Sequence, residues 1–293
     1  MTLTDFFARL FGGSPRVRLE QRYERLQESV SGTMSQFYKA RDHQTGAVVG
    51  LKIIDPQKLE PIEARYKGLG KPSEGEIGQR VTGPNIVKTL AWGVAGDGRP
   101  YVVQEFVEGT LLHALLSARK ALPPQKRLDL VRQAAAAVAT VHRAGFVHRD
   151  VCPRNFILRP DGRLVLIDFG LAVPDKPVFL QPGNRIGTPN YMAPEVVRRR
   201  QADKRLDVFS CGVTAYEICT LDLPWPRGTS GKAALSHDSP PADIRERWPD
   251  IPGPLAEAIM ACIAADPARR PETLDAFLAR IKGVALDAAP RPS

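Results

Sequence analysis

His148, Arg149 and Asp150 stand side by side in this chain, Asn155 follows five positions after that aspartate, and Asp168, Phe169 and Gly170 come next as a second short cluster. Side chains of these types at this spacing suit the movement of a phosphoryl group. Such a reaction asks for one carboxylate to receive a hydroxyl proton and for oxygen ligands that hold Mg²⁺ on phosphates, and it needs little covalent chemistry from the protein. Asp150 fits the first role, and Asn155 and Asp168 fit the second.

Elements of recognisable pattern lie on both sides of these residues. From residue 23 to residue 60 the chain alternates around turn signals, and RYERLQESV, QFYKARD and AVVGLKII read as three antiparallel strands. The polar stretch 60–80 should hold a helix, though Gly68, Gly70, Gly75 and Gly78 make it a poor one. NIVKTLAWGVA and YVVQEFV, either side of GDGRP, add two strands. Helical patterns follow in LLHALLSARK, from Pro124 to Arg143, and over 203–220, 254–264 and 273–283. NFILRP and RLVLID, joined by Asp161-Gly162, read as a short hairpin. The expected organisation is a helix and linker over 1–22, a sheet-rich part over 23–106, a helical part over 107–283 and a disordered tail over 284–293. In the first segment Leu3, Phe6, Phe7, Leu10 and Phe11 share one helical face, suited to docking on protein or lying on a membrane surface.

Composition narrows the class. The 293 residues are 43% hydrophobic and 25% charged, as in a globular protein, at the upper length for one core. A net charge of +9 suits an enzyme that handles nucleotide phosphates and acidic surfaces, and no separate nucleic-acid module accompanies it. Cys152, Cys211, Cys219 and Cys262 show no metal-ligand spacing and read as reduced thiols of a cytoplasmic protein. No apolar run approaches ~18 residues and no signal-peptide pattern opens the chain.

HRDVCPRN, DFG, GTPNYMAPE and DPARRPE occur in an order that resembles the eukaryotic-type serine/threonine protein kinase family, in its bacterial Hanks-type form, over roughly residues 23–283. The resemblance implies an α+β, two-lobed fold: a small N-lobe with a five-stranded antiparallel sheet and one helix, and a larger, mainly helical C-lobe. It implies ATP with Mg²⁺, or Mn²⁺ in its place, and protein substrates, with no nucleic acid as partner. Asp150 becomes the catalytic base, and Asn155 and Asp168 the metal ligands. Lys52 of VVGLKII becomes the phosphate-binding lysine, partnered by Glu74 or, as the alternative, Glu76. Gly32 is the surviving member of a degenerate glycine-rich loop, and Glu105 lies where the nucleotide base is held. His148, Arg149, Phe169, Gly170, Thr188 and Asp207 are implied as structural support, and Glu195 and Arg270 as a bracing ion pair.

The chain departs from the family pattern in four places. Cys152 stands where a serine/threonine kinase usually carries lysine, and Arg154, two residues on, is expected to supply the missing charge to catalysis. Gly50 replaces a usual alanine and is expected to enlarge the roof over the base. Only the central glycine of the phosphate loop remains. Between Leu171 and Ile186 there is no Ser, Thr or Tyr, so activation by phosphorylation there is not expected. A partner acting at the weak helix or at the N-terminal segment would then be the switch, with peripheral membrane contact left open. The rival readings are a pseudokinase scaffold, a small-molecule kinase, and a tyrosine or dual-specificity kinase, the last suggested by Arg154.

Overall fold

Alternation of polar and apolar residues from Ser35 to Asp42 produces a strand that buries every second side chain near its end, Tyr38, Ala40 and Asp42, against one layer. This computed structural model describes residues 17–32, 34–119, 122–183, 185–228 and 233–286. The helix expected over residues 2–11 lies outside them, as does the chain beyond residue 286. The chain divides into two units, residues 1–82 with 87–108, and residues 83–86 with 109–293.

The smaller unit is built on an antiparallel sheet of β1 (Tyr23–Arg25), β2 (Val30–Ser31), β3 (Ser35–Asp42), β4 (Val48–Ile54), β5 (Thr89–Val94) and β6 (Pro100–Glu105). Five of these run in the order β1-β3-β4-β6-β5, and the two-residue β2 pairs only with β3. A four-residue helix α1 (Leu19–Arg22) puts Leu19 into a core with Tyr23, Tyr38, Leu51 and Tyr101. The sequence reading placed one helix in this part, and the structure adds α2 (Pro56–Glu63). Asp55 caps α2 through the Gln57 N–H at 3.0 Å, and Pro56 sits in its first turn, where no N–H is missed. The Asp-Pro pair was the available signal. The end of α2 is fixed by a buried Lys71–Glu63 ion pair at 2.7 Å.

The helix expected in the glycine-rich stretch is α3 (Glu74–Arg80), opened by a capping box. The Ser73 hydroxyl accepts the Glu76 N–H at 3.3 Å, and the Glu76 carboxylate accepts the Ser73 N–H at 2.7 Å. Its glycines weaken the helix but let it approach the sheet. A Cβ on Gly75 would lie 2.2 Å from Trp92 Cγ, so only a bare backbone fits against that ring.

In the larger unit, α4 (Leu112–Ser117) is followed by α5 (Pro124–Arg143), α6 (Pro194–Val197), α7 (Arg205–Thr220), α8 (Ile244–Arg247), α9 (Gly253–Cys262) and α10 (Leu274–Arg280). Every residue of α7 from Leu206 to Cys219 is buried, which makes it the central helix, and α5 and α9 pack against it. Short strands β7 (Thr110–Leu111), β9 (Phe156–Leu158) and β10 (Leu164–Leu166) form one sheet in the order β10-β9-β7, and β8 (Phe146–Val147) pairs with β11 (Val173–Pro174). No helix among the described residues is long and apolar enough to cross a membrane.

Two buried features brace this unit. Arg270 meets the Glu195 carboxylate with both terminal nitrogens, at 2.7 and 2.8 Å. Its remaining donors reach the carbonyls of Ala264, Arg205 and Ala265, and the guanidinium lies 4.8 Å from the centre of the Phe209 ring. All five N–H groups are therefore satisfied away from water. Replacing Arg270 with alanine strands the Glu195 carboxylate, and the expected loss is about 3–5 kcal/mol in urea unfolding. A loss below about 1 kcal/mol would show that the pair does not brace the unit.

The four cysteines are buried and reduced. Burial pushes the thiols of Cys152, Cys219 and Cys262 up to about 12, and raises Cys211 well above its ordinary value. An unfolded thiol ionises near pH ~8.5. The folded state thus holds protons that the unfolded state has lost at higher pH. The stabilisation from this source is complete below pH ~8.5 and disappears as pH rises from there toward 12. Unfolding free energy should fall across that window. At pH about 8, alkylation should label these thiols only after denaturation.

Candidate active site

Both carboxylate oxygens of Asp150 are held by neighbouring residues. Asp150 Oδ1 accepts the Thr188 N–H and the Thr188 hydroxyl, both at 2.8 Å, and Oδ2 accepts the Asn155 amide at 3.0 Å. The same Asn155 nitrogen donates to the Asp150 carbonyl at 2.7 Å. Asn155 thus spends its donor end on the loop, and its amide oxygen is the end left to act as a ligand. Thr188 can come this close because Gly187 precedes it. Gly187 has φ +121°, and a Cβ there would lie 2.7 Å from the Arg149 carbonyl.

The loop backbone hangs from Asp207 in the first turn of α7. This fully buried carboxylate accepts the His148 N–H at 2.7 Å, the Arg149 N–H at 2.8 Å and a hydrogen bond with His142 Nε2 at 2.9 Å. Burial alone would raise its pKa. The His142 contact and the backbone donor outweigh that, and Asp207 stays below its ordinary carboxylate value. Arg149 takes the left-handed conformation at φ +70°, a cost that these two N–H contacts help to meet. The His148 ring packs edge-on against Phe169, with centroids 5.7 Å apart.

Asp168 also has φ +70°, and its Oδ1 accepts the Gly170 N–H at 2.8 Å. Phe169 is fully buried and acts as the anchor of this turn. Cys152 is buried beside the same cluster, with Sγ 3.5 Å from the Thr188 hydroxyl. Sequence reading takes Cys152 as a reduced thiol standing where a lysine is usual. Its contact with Thr188 was not legible, because it depends on a residue 36 positions away. Arg154 is exposed, on the short turn Pro153–Asn155.

The segment after Asp168 is tied down by strand pairing, buried side chains and hydrogen bonds. β11 pairs with β8, Phe179 and Leu180 are buried, Gln201 donates to the Leu180 carbonyl at 3.3 Å, and Arg185 Nε donates to the Val197 carbonyl at 2.7 Å.

Within the smaller unit, Lys52 Nζ lies 2.7 Å from Glu74 Oε1, and both are buried. Glu76 is occupied by the capping box, which separates the roles of the two glutamates. Gly32 follows β2, and its N–H donates to the Ser35 carbonyl at 2.8 Å. Glu105 ends β6, where its carboxylate accepts the Lys88 N–H at 3.0 Å. Gly50 does not leave the extra room anticipated from its size. Phe37, diagonal to it across β3 and β4, fills that space, and a Cβ on Gly50 would fall 2.6 Å from the ring.

The sequence profile of the protein kinase domain matches residues 23–279. Among curated relatives, the serine/threonine-protein kinase pkn3 of Myxococcus xanthus is 32% identical over 282 residues, covering 89% of this chain and 50% of that protein. The serine/threonine-protein kinase PknA of Mycobacterium tuberculosis is 31% identical over 295 residues, covering 96% and 66%. PrkC of Bacillus subtilis, a serine/threonine-protein kinase, is 29% identical over 269 residues, covering 90% and 41%. The chain thus spans between two fifths and two thirds of the length of these relatives. With the profile extending over most of its length, the chain belongs to the protein kinase domain family.

Proposed function

We propose that this chain is a protein serine/threonine kinase, moving the γ-phosphoryl group of ATP to Ser or Thr hydroxyls of proteins. The observation that carries this reading is the Asp150 carboxylate, oriented by Thr188 and Asn155 on opposite oxygens. Asp150 accepts the proton of the incoming hydroxyl on the Oδ2 lone pair that Asn155 leaves. Thr188, touching Oδ1, shapes the place beside it. Lys52, steered by Glu74, presents its ammonium to the nucleotide phosphates. Gly32 lets the loop backbone approach phosphate oxygens.

Asn155 and Asp168 would hold Mg²⁺, and the donor set suits it. Two protein oxygens are few for a caged ion, and this cation keeps phosphate and water ligands around one or two protein donors. Mn²⁺ accepts the same oxygen donors. When bound, the ion neutralises charge on the phosphates. ATP as co-substrate puts this activity in the cytoplasm, and proteins are its partners. Of the rival readings, a scaffold without turnover is disfavoured by Lys52, Asp150, Asn155 and Asp168 being all retained.

Arg154 takes the part of the absent lysine and supplies positive charge to the transferred group. The docking of Phe179 and Leu180 replaces a phosphate as the anchor of the segment after Asp168. A regulatory partner would then act on α3, the short helix that carries Glu74.

Two sets of variants test the reading. With γ-labelled ATP and Mg²⁺, Asp150→Asn and Asp168→Asn should each reduce protein labelling by about 10²–10⁴-fold. Labelling that survives both substitutions would end the reading. Arg154→Ala should lower kcat by about 10–150-fold, the worth of one charge-assisted hydrogen bond, and Cys152→Lys in that background should recover part of it. An Arg154→Ala protein with unchanged kcat would remove Arg154 from catalysis and leave the rest intact.

A further inference from the structure

Fixed arginines stand on both sides of the segment that holds Thr188. Tyr191, three residues beyond Thr188, donates its hydroxyl to the buried carboxylate of Glu217, and Arg227 Nη2 occupies the other oxygen of that carboxylate at 2.6 Å. Burial, with Glu217 alongside, pushes the Tyr191 hydroxyl up, so it remains a donor. Glu217 therefore has both oxygens engaged and is only 1% exposed. The Arg227 side chain is 43% exposed, and Nη2 is the guanidinium nitrogen that meets Glu217. Asn190 locks the same place, exchanging hydrogen bonds with the Gly228 carbonyl and N–H at 3.1 and 3.2 Å.

The acids that follow this segment in the chain are paired. Each of the six described acids from Glu195 to Asp238 is held by a basic residue. On the cationic side, exposed Arg185, Arg199 and Arg200 take part in no ion pair among the described residues. Arg185 is fixed by its Nε bond to the Val197 carbonyl, two residues before Arg199. Two held guanidiniums thus flank the segment that touches Asp150: Arg185 before Thr188 and Arg227 beyond Tyr191. A lysine or arginine approaching the segment between these two guanidiniums would meet like charges.

We infer that the acceptor protein presents acidic side chains within about five residues of the phosphorylated hydroxyl, and that Arg227 and Arg185 read them. The span follows from chain dimensions. One turn of 3₁₀ backbone and a tyrosine side chain put Arg227 roughly 10–15 Å from Asp150, a reach of about three to five extended residues. This assignment of the substrate class rests on the kinase reading proposed above. Held guanidiniums suit it, because an arginine fixed on one side loses little freedom when a carboxylate meets the other.

The test uses the full chain with Mg²⁺-ATP and peptides that carry one Ser or Thr in a neutral background. At each of five positions on either side, Asp or Glu is compared with Lys or Arg. At one or more positions the acid should raise kcat/KM about tenfold over the base, mainly through KM, and the advantage should shrink as salt is added. Arg227→Gln and Arg185→Gln should each cut the acid-to-base ratio by roughly threefold, at different peptide positions. Because Arg227 also pairs with Glu217, Arg185→Gln supplies an independent reading if Arg227→Gln folds poorly. A wild-type enzyme that labels basic peptides as well as acidic ones, or ratios unmoved by Arg185→Gln, would overturn the inference and leave the kinase reading standing. Silence on every peptide and on the chain itself would overturn both.

Discussion

The larger unit is organised by one buried carboxylate. Asp207 has no water to stabilise its charge, so its survival as an anion depends on donors brought by the chain. Those donors are the backbone N–H groups of His148 and Arg149 and the ring of His142. The dependence runs in both directions. The carboxylate needs these donors, and the loop backbone, bent into a left-handed step at Arg149, needs a fixed acceptor. Central helix α7 supplies that acceptor from a fully packed position, and Asp150 is the residue next along the loop. Its carboxylate inherits a fixed direction from a buried charge that never meets substrate.

The smaller unit reaches a similar end with backbone contact. Lys52 lies on a strand that is buried almost throughout, and its ammonium must find a counter-charge in that setting. Glu74 supplies it from the first turn of a helix that pays for two glycines in its own stability. Gly75 against Trp92 shows what those glycines achieve, since the helix axis can approach the sheet only without a Cβ there. Close approach, not helix propensity, decides the position of Glu74. Gly50 follows the same logic on the sheet face, where the space opened by a missing methyl group is taken by the ring of Phe37.

The legible part of this chain was the part written in residue types and spacings. HRD, Asn155 and DFG are short-range patterns, and β3, next to the strand that carries Lys52, alternates with a period of two. Pro124 to Arg143 was delimited by its own composition, and the helix found there has the same limits. What escaped the reading depends on contacts between distant residues. α2 is held by Lys71 and Glu63, and its only local sign was Asp55-Pro56. Glu74 is the residue read as the partner of Lys52, with Glu76 as its competitor because both are acids in one helical turn, and the cap that engages Glu76 depends on Ser73 geometry. Phe37 over Gly50 and Cys152 against Thr188 are tertiary packing, for which no local pattern exists.

The stretch from Leu171 to Ile186 has a consequence for how cells could govern this protein. It contains no hydroxyl, and it is fastened by Phe179, Leu180 and the hydrogen bonds of Gln201 and Arg185. A fastening made of carbon and backbone amide carries no mark that a phosphatase can erase. Within residues 171–186 no hydroxyl can enter a cycle of phosphate addition and removal, so the anchoring of this stretch is written into the sequence itself.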